Sequence, residues 1–238
     1  MTGPSDPTRS GPPVPPKEVS EVQLSRNEIV ALGTKAARGA GMEWGLAEEA
    51  GTAAGWLASM GLDGAGALLD QLQLAAGKGW PHICPVVARG RWRSAGSDPI
   101  CPIALGATLC DFADLPEGIE DGDGLIIGPV SQPVLLLPFL AEIARRKAVL
   151  LELGWDDGTV LIGGSGQIDG DLAALHHANR ILLRLSRRAG HGTWQDPAAL
   201  RPISRQTMQK LTELAMKTTV PSTEASRAGA GAGTQDND

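Results

Sequence analysis

The chain reads as an α+β protein, with an N-terminal helical hairpin unit, a central mixed or antiparallel sheet and C-terminal helices. Three observations predict this. Apolar residues between Ser25 and Ala76 recur at three- and four-residue spacing, the period of a helix buried on one face. From Trp80 to about Gly166 the texture changes to short apolar runs broken by Gly, Pro and Asp, which suits strands and turns. From Asp169 onward helical spacing returns. Helices segregated to the two ends of a sheet give the class.

The elements follow in order. Residues 1–22 carry Pro4, Pro7, Pro12, Pro13, Pro15 and Pro16, which block helix and sheet ladders alike, so this segment reads as a disordered proline-rich lead. A single α+β domain spans 23–218: helical over 23–78, sheet-rich over 80–166, helical over 169–218. Its first helix starts at Ser25, where SRNE has the form of a capping box, and ends at Gly39 and Gly41. A second runs from Glu43 to Met60 and stops at Gly61, and a third covers 64–76. In the sheet region ICPV at 83–86 and ICPI at 100–103 are near copies. They read as two strand-edge segments flanking the loop RGRWRSAGSD, since proline is confined to strand ends and edges. AVLLELGWDDGTVLIGG is the clearest hairpin, with Asp157-Gly158 as its turn dipeptide. Residues 134–146 suit either a strand leading into a helix or one helix with Pro138 near its start. Asp169 or Asp171 then caps a helix reaching Arg188, with Leu172, Leu175, Ile181, Leu182 and Leu185 buried. Arg184, Arg187 and Arg188 would lie near its negative end. A last helix covers 204–217, and a Gly/Ala-rich tail completes the chain at 219–238.

Composition narrows the function. A net charge of −6 offers no basic surface for a nucleic-acid backbone, and no run of about 20 apolar residues could cross a bilayer, so neither nucleic acid nor membrane is expected as a partner. The start of the chain lacks the basic-then-apolar pattern of a signal peptide, and three cysteines cannot all pair within it, so a cytoplasmic location is expected. His82, Cys84, Cys101 and Cys110 lack the tight paired spacing of structural zinc, and no metal or cofactor is expected. The cysteines read as small buried hydrophobes, with Cys110, beside Asp111, a nucleophile only if a histidine partner lies near. His191, in a glycine-flanked loop, and GGSGQIDGD at 163–171 are further candidates, for proton transfer and anion cradling respectively.

The densest stretch is KAARGAGMEWGLAEEAG at 35–51. Gly45, Gly51 and Gly55 within one helix each cost up to ~1 kcal/mol against alanine, so several together signal a close approach of two backbones. The same geometry admits a ligand site. Arg38, Gly39 and Gly41 precede the N-terminus of the second helix, where free amides and a guanidinium suit a carboxylate or phosphate, with Trp44 beside them. Glu48 and Glu49 would then be the groups that act on protons.

SRNEIVALGTKAARGAGMEWGLAEEAG, together with the ending TTVPSTEASRAGAGAGTQDND, resembles a bacterial protein family known only as a domain of unknown function. The likeness is clearest over 21–60 and 217–238, with further agreement at CPIALGATLCDFAD. Composition alone makes the tail disordered. The resemblance implies a fixed ending that folds back, with Ser226 and Arg227 closing over the site as a lid. It carries no activity, cofactor or catalytic residue. Two functions stay open: a metabolic protein binding a small anionic ligand (a carboxylate or an amino-acid-like molecule), or a non-catalytic accessory subunit or assembly factor joined to a protein partner or to copies of itself.

Overall fold

The structure, a computed structural model, describes residues 20–119, 124–164, 167–189 and 199–218. The proline-rich lead up to residue 19, most of the His191 loop and the tail from 219 onward lie outside the described residues.

After a two-residue strand, β1 (Glu21–Val22), come three helices: α1 (Arg26–Gly39), α2 (Trp44–Ser59) and α3 (Gly64–Leu74). The capping box forms. The Ser25 hydroxyl accepts from Glu28 N at 3.3 Å, and the Glu28 carboxylate accepts from Ser25 N at 2.7 Å. Gly41 at φ 92° and Gly61 at φ 77° turn the chain where α1 and α2 end. Of the three glycines in α2, Gly51 and Gly55 lie at a close helix contact and Gly45 does not. A Cβ on Gly51 would run into Thr34 Oγ1 and the Val30 carbonyl, and one on Gly33 would lie 3.1 Å from Gly51 Cα. The two backbones therefore touch, with no side chain between them.

The next segment holds β2 (Pro85–Val86), β3 (Arg91–Ser94), α4 (Pro102–Asp111) and β4 (Leu125–Val130). Here the structure departs from the sequence reading. RWRS is a strand and not part of a loop, and it pairs in parallel with β4 across the α4 crossover. Its Trp92 is fully buried, donates from Nε1 to Glu117 O at 2.9 Å and meets Phe112 edge-on at 5.7 Å. Of the two near-copies only Pro85–Val86 is an edge strand. Pro102 instead opens α4, a position where its missing N–H costs nothing.

A 3₁₀ turn (Pro133–Leu136) leads into α5 (Leu137–Lys147), with Pro138 at its start, followed by the hairpin β5 (Leu150–Trp155) and β6 (Gly158–Ile162). Trp155 pairs with Gly158, so the turn residues are Asp156 and Asp157, one position earlier than the sequence indicates.

The largest correction concerns the helix expected over 169–188. The chain instead forms β7 (Ile168–Gly170), a short α6 (Leu172–His177) capped by Asp171, and an eight-residue strand, β8 (Ile181–Arg188). Leu183 and Leu185 face the core while Leu182 is 51% exposed, an alternation of period two that outweighs the helical spacing. The arginines read as dipole partners are strand residues, and Arg188 pairs with Glu152 of β5 at 2.6 Å. Finally β9 (Ile203–Ser204) pairs antiparallel with β1, and α7 (Arg205–Met216) begins at its Ser204 cap.

The main sheet has the order β2-β3-β4-β8-β5-β6-β7, antiparallel except for β3–β4. The protein is α+β. One continuous apolar cluster links Ile29 of α1 with the sheet strands and with Leu211 of α7. α7 lies on α1 so closely that a Cβ on Gly39 would strike Leu214 O.

Candidate functional site

At the α1–α2 corner the residues are committed to one another. Arg38 donates from Nη1 to Met42 O at 2.7 Å, and its guanidinium lies 5.7 Å over the Trp44 ring. Gly41 N and Met42 N donate back to Arg38 O and Ala37 O. Gly39 is covered by α7. Glu43, at the N-cap of α2, makes no side-chain cap hydrogen bond, so the first-turn amides are not satisfied from there. Trp44 is 61% exposed. Four of the predicted ligand residues, Arg38, Gly39, Gly41 and Trp44, thus do come together, as a turn held by its own hydrogen bond and ring stack. Ser226 and Arg227, the predicted lid, lie outside the described residues.

Glu48 and Glu49 part company. Glu49 lines a cleft of about 570 Å³ between α2, α4 and α5, and Glu48 does not. The side chains arrive from three separate segments. α2 supplies Glu49, Ala53 and Trp56, α4 supplies Ala107, Cys110 and Asp111, and α5 supplies Phe139, Glu142, Arg145 and Arg146. Alanines and Phe139 make an apolar floor. A Cβ on Gly106 would overlap the Phe139 ring, so α4 and α5 are in contact beneath it.

The rim is charged and unevenly paired. Glu142 and Arg145 form a two-point ion pair at 2.7 and 3.0 Å. Arg146 reaches Asp114 only at 3.9 Å, and Lys147 takes the other Asp114 oxygen. Neither Glu49 nor Asp111 has a hydrogen bond or ion pair among the described residues. Burial raises the Glu49 carboxyl above its ordinary value, and the charges of Glu48 and Asp111 raise it further. A cation brought to this edge would therefore be drawn in.

Its surroundings hold the cysteine of this cleft in the thiol form. Burial pushes the Cys110 thiol up to about 11, its sulfur lies 3.8 Å from Phe139 O, and no histidine among the described residues lines the cleft. Cys101 is fully buried, also raised to about 11, and Cys84 is raised by burial. Among the described residues no three His, Cys, Asp or Glu side chains converge to hold a metal ion, and no helix is long and apolar enough to cross a membrane.

Sequence reasoning singled out Glu49 and, separately, Cys110 beside Asp111, but not their convergence with Arg146. Asp111 and Arg146 lie in the last turns of α4 and α5, and no local motif marks either as part of a cleft.

Residues 24–99 match the model of a family described as "Protein of unknown function (DUF3726)". The match covers α1 to α3 and the first two strands of the main sheet. It thus contains Arg38, Glu49 and Trp56 but stops short of Cys110, Asp111 and Arg146. Similarity to an uncharacterised family holds at that level. No curated protein and no solved structure matches the chain significantly.

Proposed function

We propose that the protein binds a small zwitterionic, amino-acid-like metabolite in the α2–α4–α5 cleft. One observation carries this reading: with an apolar floor, the cleft is lined both by two carboxylates that have no partner among the described residues, Glu49 and Asp111, and by a guanidinium, Arg146, whose nearest carboxylate is Asp114 at 3.9 Å. An ammonium group would sit at Glu49 and Asp111, a carboxylate at Arg146, and an apolar side chain on Phe139 and Ala107. The cleft falls in the size range of pockets for small metabolites. Of the two glutamates picked out in sequence, Glu49 lines the cleft, and its raised carboxyl suits it to exchange a proton with such a ligand.

Calorimetric titration with apolar amino acids, their decarboxylated amines and their deaminated acids tests this directly. The intact amino acid should bind more tightly than either half. Glu49→Gln should weaken the amine series and Arg146→Ala the acid series, each by about tenfold, the worth of one charged hydrogen bond. Equal binding of halves and whole, or binding indifferent to both variants, would refute the proposal.

A second reading, a non-catalytic partner in an assembly, is favoured by one feature, the exposed Trp44 at the α1–α2 corner. Sedimentation of the wild type and Trp44→Ser reads it: self-association lost in the variant supports assembly through this corner, and a monomer in both removes self-assembly.

A further inference from the structure

A second, smaller cavity of about 190 Å³ opens between the last turn of α3, the β4–α5 junction and the turn entering β8. Its floor is polar. Gln71, 2% exposed, and Ser131, 4% exposed, both line it. The Ser131 hydroxyl donates to Gln71 Oε1 at 2.7 Å. Ile100 O, 3.1 Å from the same hydroxyl, already accepts from Ser131 N at 3.2 Å. The two hydrogens on Gln71 Nε2 then have no acceptor among the described residues. The nitrogen is not sealed from solvent, so both hydrogens are open to an acceptor that enters the cavity.

The mouth supplies positive charge. Arg180 lines the cavity, makes no ion pair or hydrogen bond among the described residues, and is held at φ 59°. Lys78 is there too, but Asp98 neutralises it at 2.8 Å. The C-terminal end of α3 contributes roughly half a negative charge, which the full charge of Arg180 outweighs. Leu74 and Pro99 are apolar walls. At roughly 30 Å³ for each water-sized group, the space takes about six non-hydrogen atoms.

We propose that this cavity binds a short-chain carboxylate, its oxygens on the Gln71 amide and the Arg180 guanidinium and its hydrocarbon against Leu74 and Pro99. The site is independent of the larger cleft.

A ¹H–¹⁵N titration of the full chain with sodium butyrate, butanol and butylamine tests it. The Gln71 side-chain amide pair, identified by its disappearance in Gln71→Leu, should shift saturably with butyrate and stay in place with butylamine. Arg180→Asn, a neutral residue that tolerates the left-handed backbone, should weaken the butyrate response about tenfold or more. Because Arg180 is exposed, that variant keeps the fold and carries the test even if Gln71→Leu does not. Glu49→Gln should leave the response unchanged, so this site and the larger cleft can fail separately. No shift with butyrate, an undiminished response in Arg180→Asn, or a response to butanol alone would overturn the proposal; the last would mean that the carboxamide turns its oxygen to the cavity.

Discussion

The α1–α2 corner and the α2–α4–α5 cleft share a helix and differ in almost everything else. The corner comes from 17 consecutive residues, and its one guanidinium is engaged within it, Arg38 on Met42 O and on Trp44. The cleft is assembled from three distant helices, and Glu49 and Asp111 remain without partners among the described residues. The difference teaches that a dense glycine-rich motif records backbone contact. Chemistry collects where side chains from separate segments converge and are not neutralised.

The sharpest way to break this comparison is at the helix contact. Gly51→Ala should cost about 1–3 kcal/mol in chemical denaturation, because the added methyl meets Thr34 and the Val30 carbonyl, which cannot retreat cheaply. A stability within ~0.5 kcal/mol of wild type would mean that α1 and α2 are less tightly joined than described.

The two arginines should separate stability from binding. Arg38→Ala should lower stability by about 1–2 kcal/mol, through the lost hydrogen bond and ring stack, and leave ligand affinity in the cleft unchanged. Arg146→Ala, an exposed change, should stay within ~0.5 kcal/mol in stability and weaken carboxylate-bearing ligands. The reverse pattern would move the site to the corner.

At Gly45 a Cβ meets nothing within 4 Å, so Gly45→Ala should stabilise α2 by up to about 1 kcal/mol, the opposite sign to Gly51→Ala on the same helix.

The smallest effect is in the pH dependence. The Glu49 carboxyl is raised in the folded protein from its ordinary 4.5, so the folded state holds this proton more tightly than the unfolded chain. Its contribution is therefore most favourable at low pH and is lost as pH rises through and above 4.5. Glu49→Gln should be more stable than wild type at neutral pH, with the gap closing on acidification. An ammonium ligand lowers the same carboxyl, so its binding should release protons and strengthen as pH rises through that window. A gap that widened towards acid would contradict the raised carboxyl.

Much of the fold was legible because its signals are local. Ser25 and Glu28 close a capping box within four residues, and Ser204 accepts from Thr207 N at 3.0 Å to start α7. β8 was not legible. ILLRLSRR offers apolar residues at both helical and strand spacings, and only the place between β4 and β5 decides for the strand, leaving Leu182 outside. The second ICP copy shows the same limit: Pro102 begins a helix where Pro85 begins an edge strand, because the chain that follows is IALGATL in one case and VVARG in the other. The corner's composition was readable, yet its self-satisfaction is a matter of the angle at which Arg38 meets Met42. The cleft depends on helix ends far apart in sequence, and sequence reasoning picked out Glu49 and Cys110 separately, with no local signal to join them.

The most direct test of the central claim, that the cleft and not the corner takes the ligand, is a backbone amide shift map recorded with the tightest-binding amino acid. The shifts should cluster at Ala53, Ala107 and Phe139, around the cleft floor. Shifts concentrated on Arg38 to Trp44, with the floor unmoved, would contradict it.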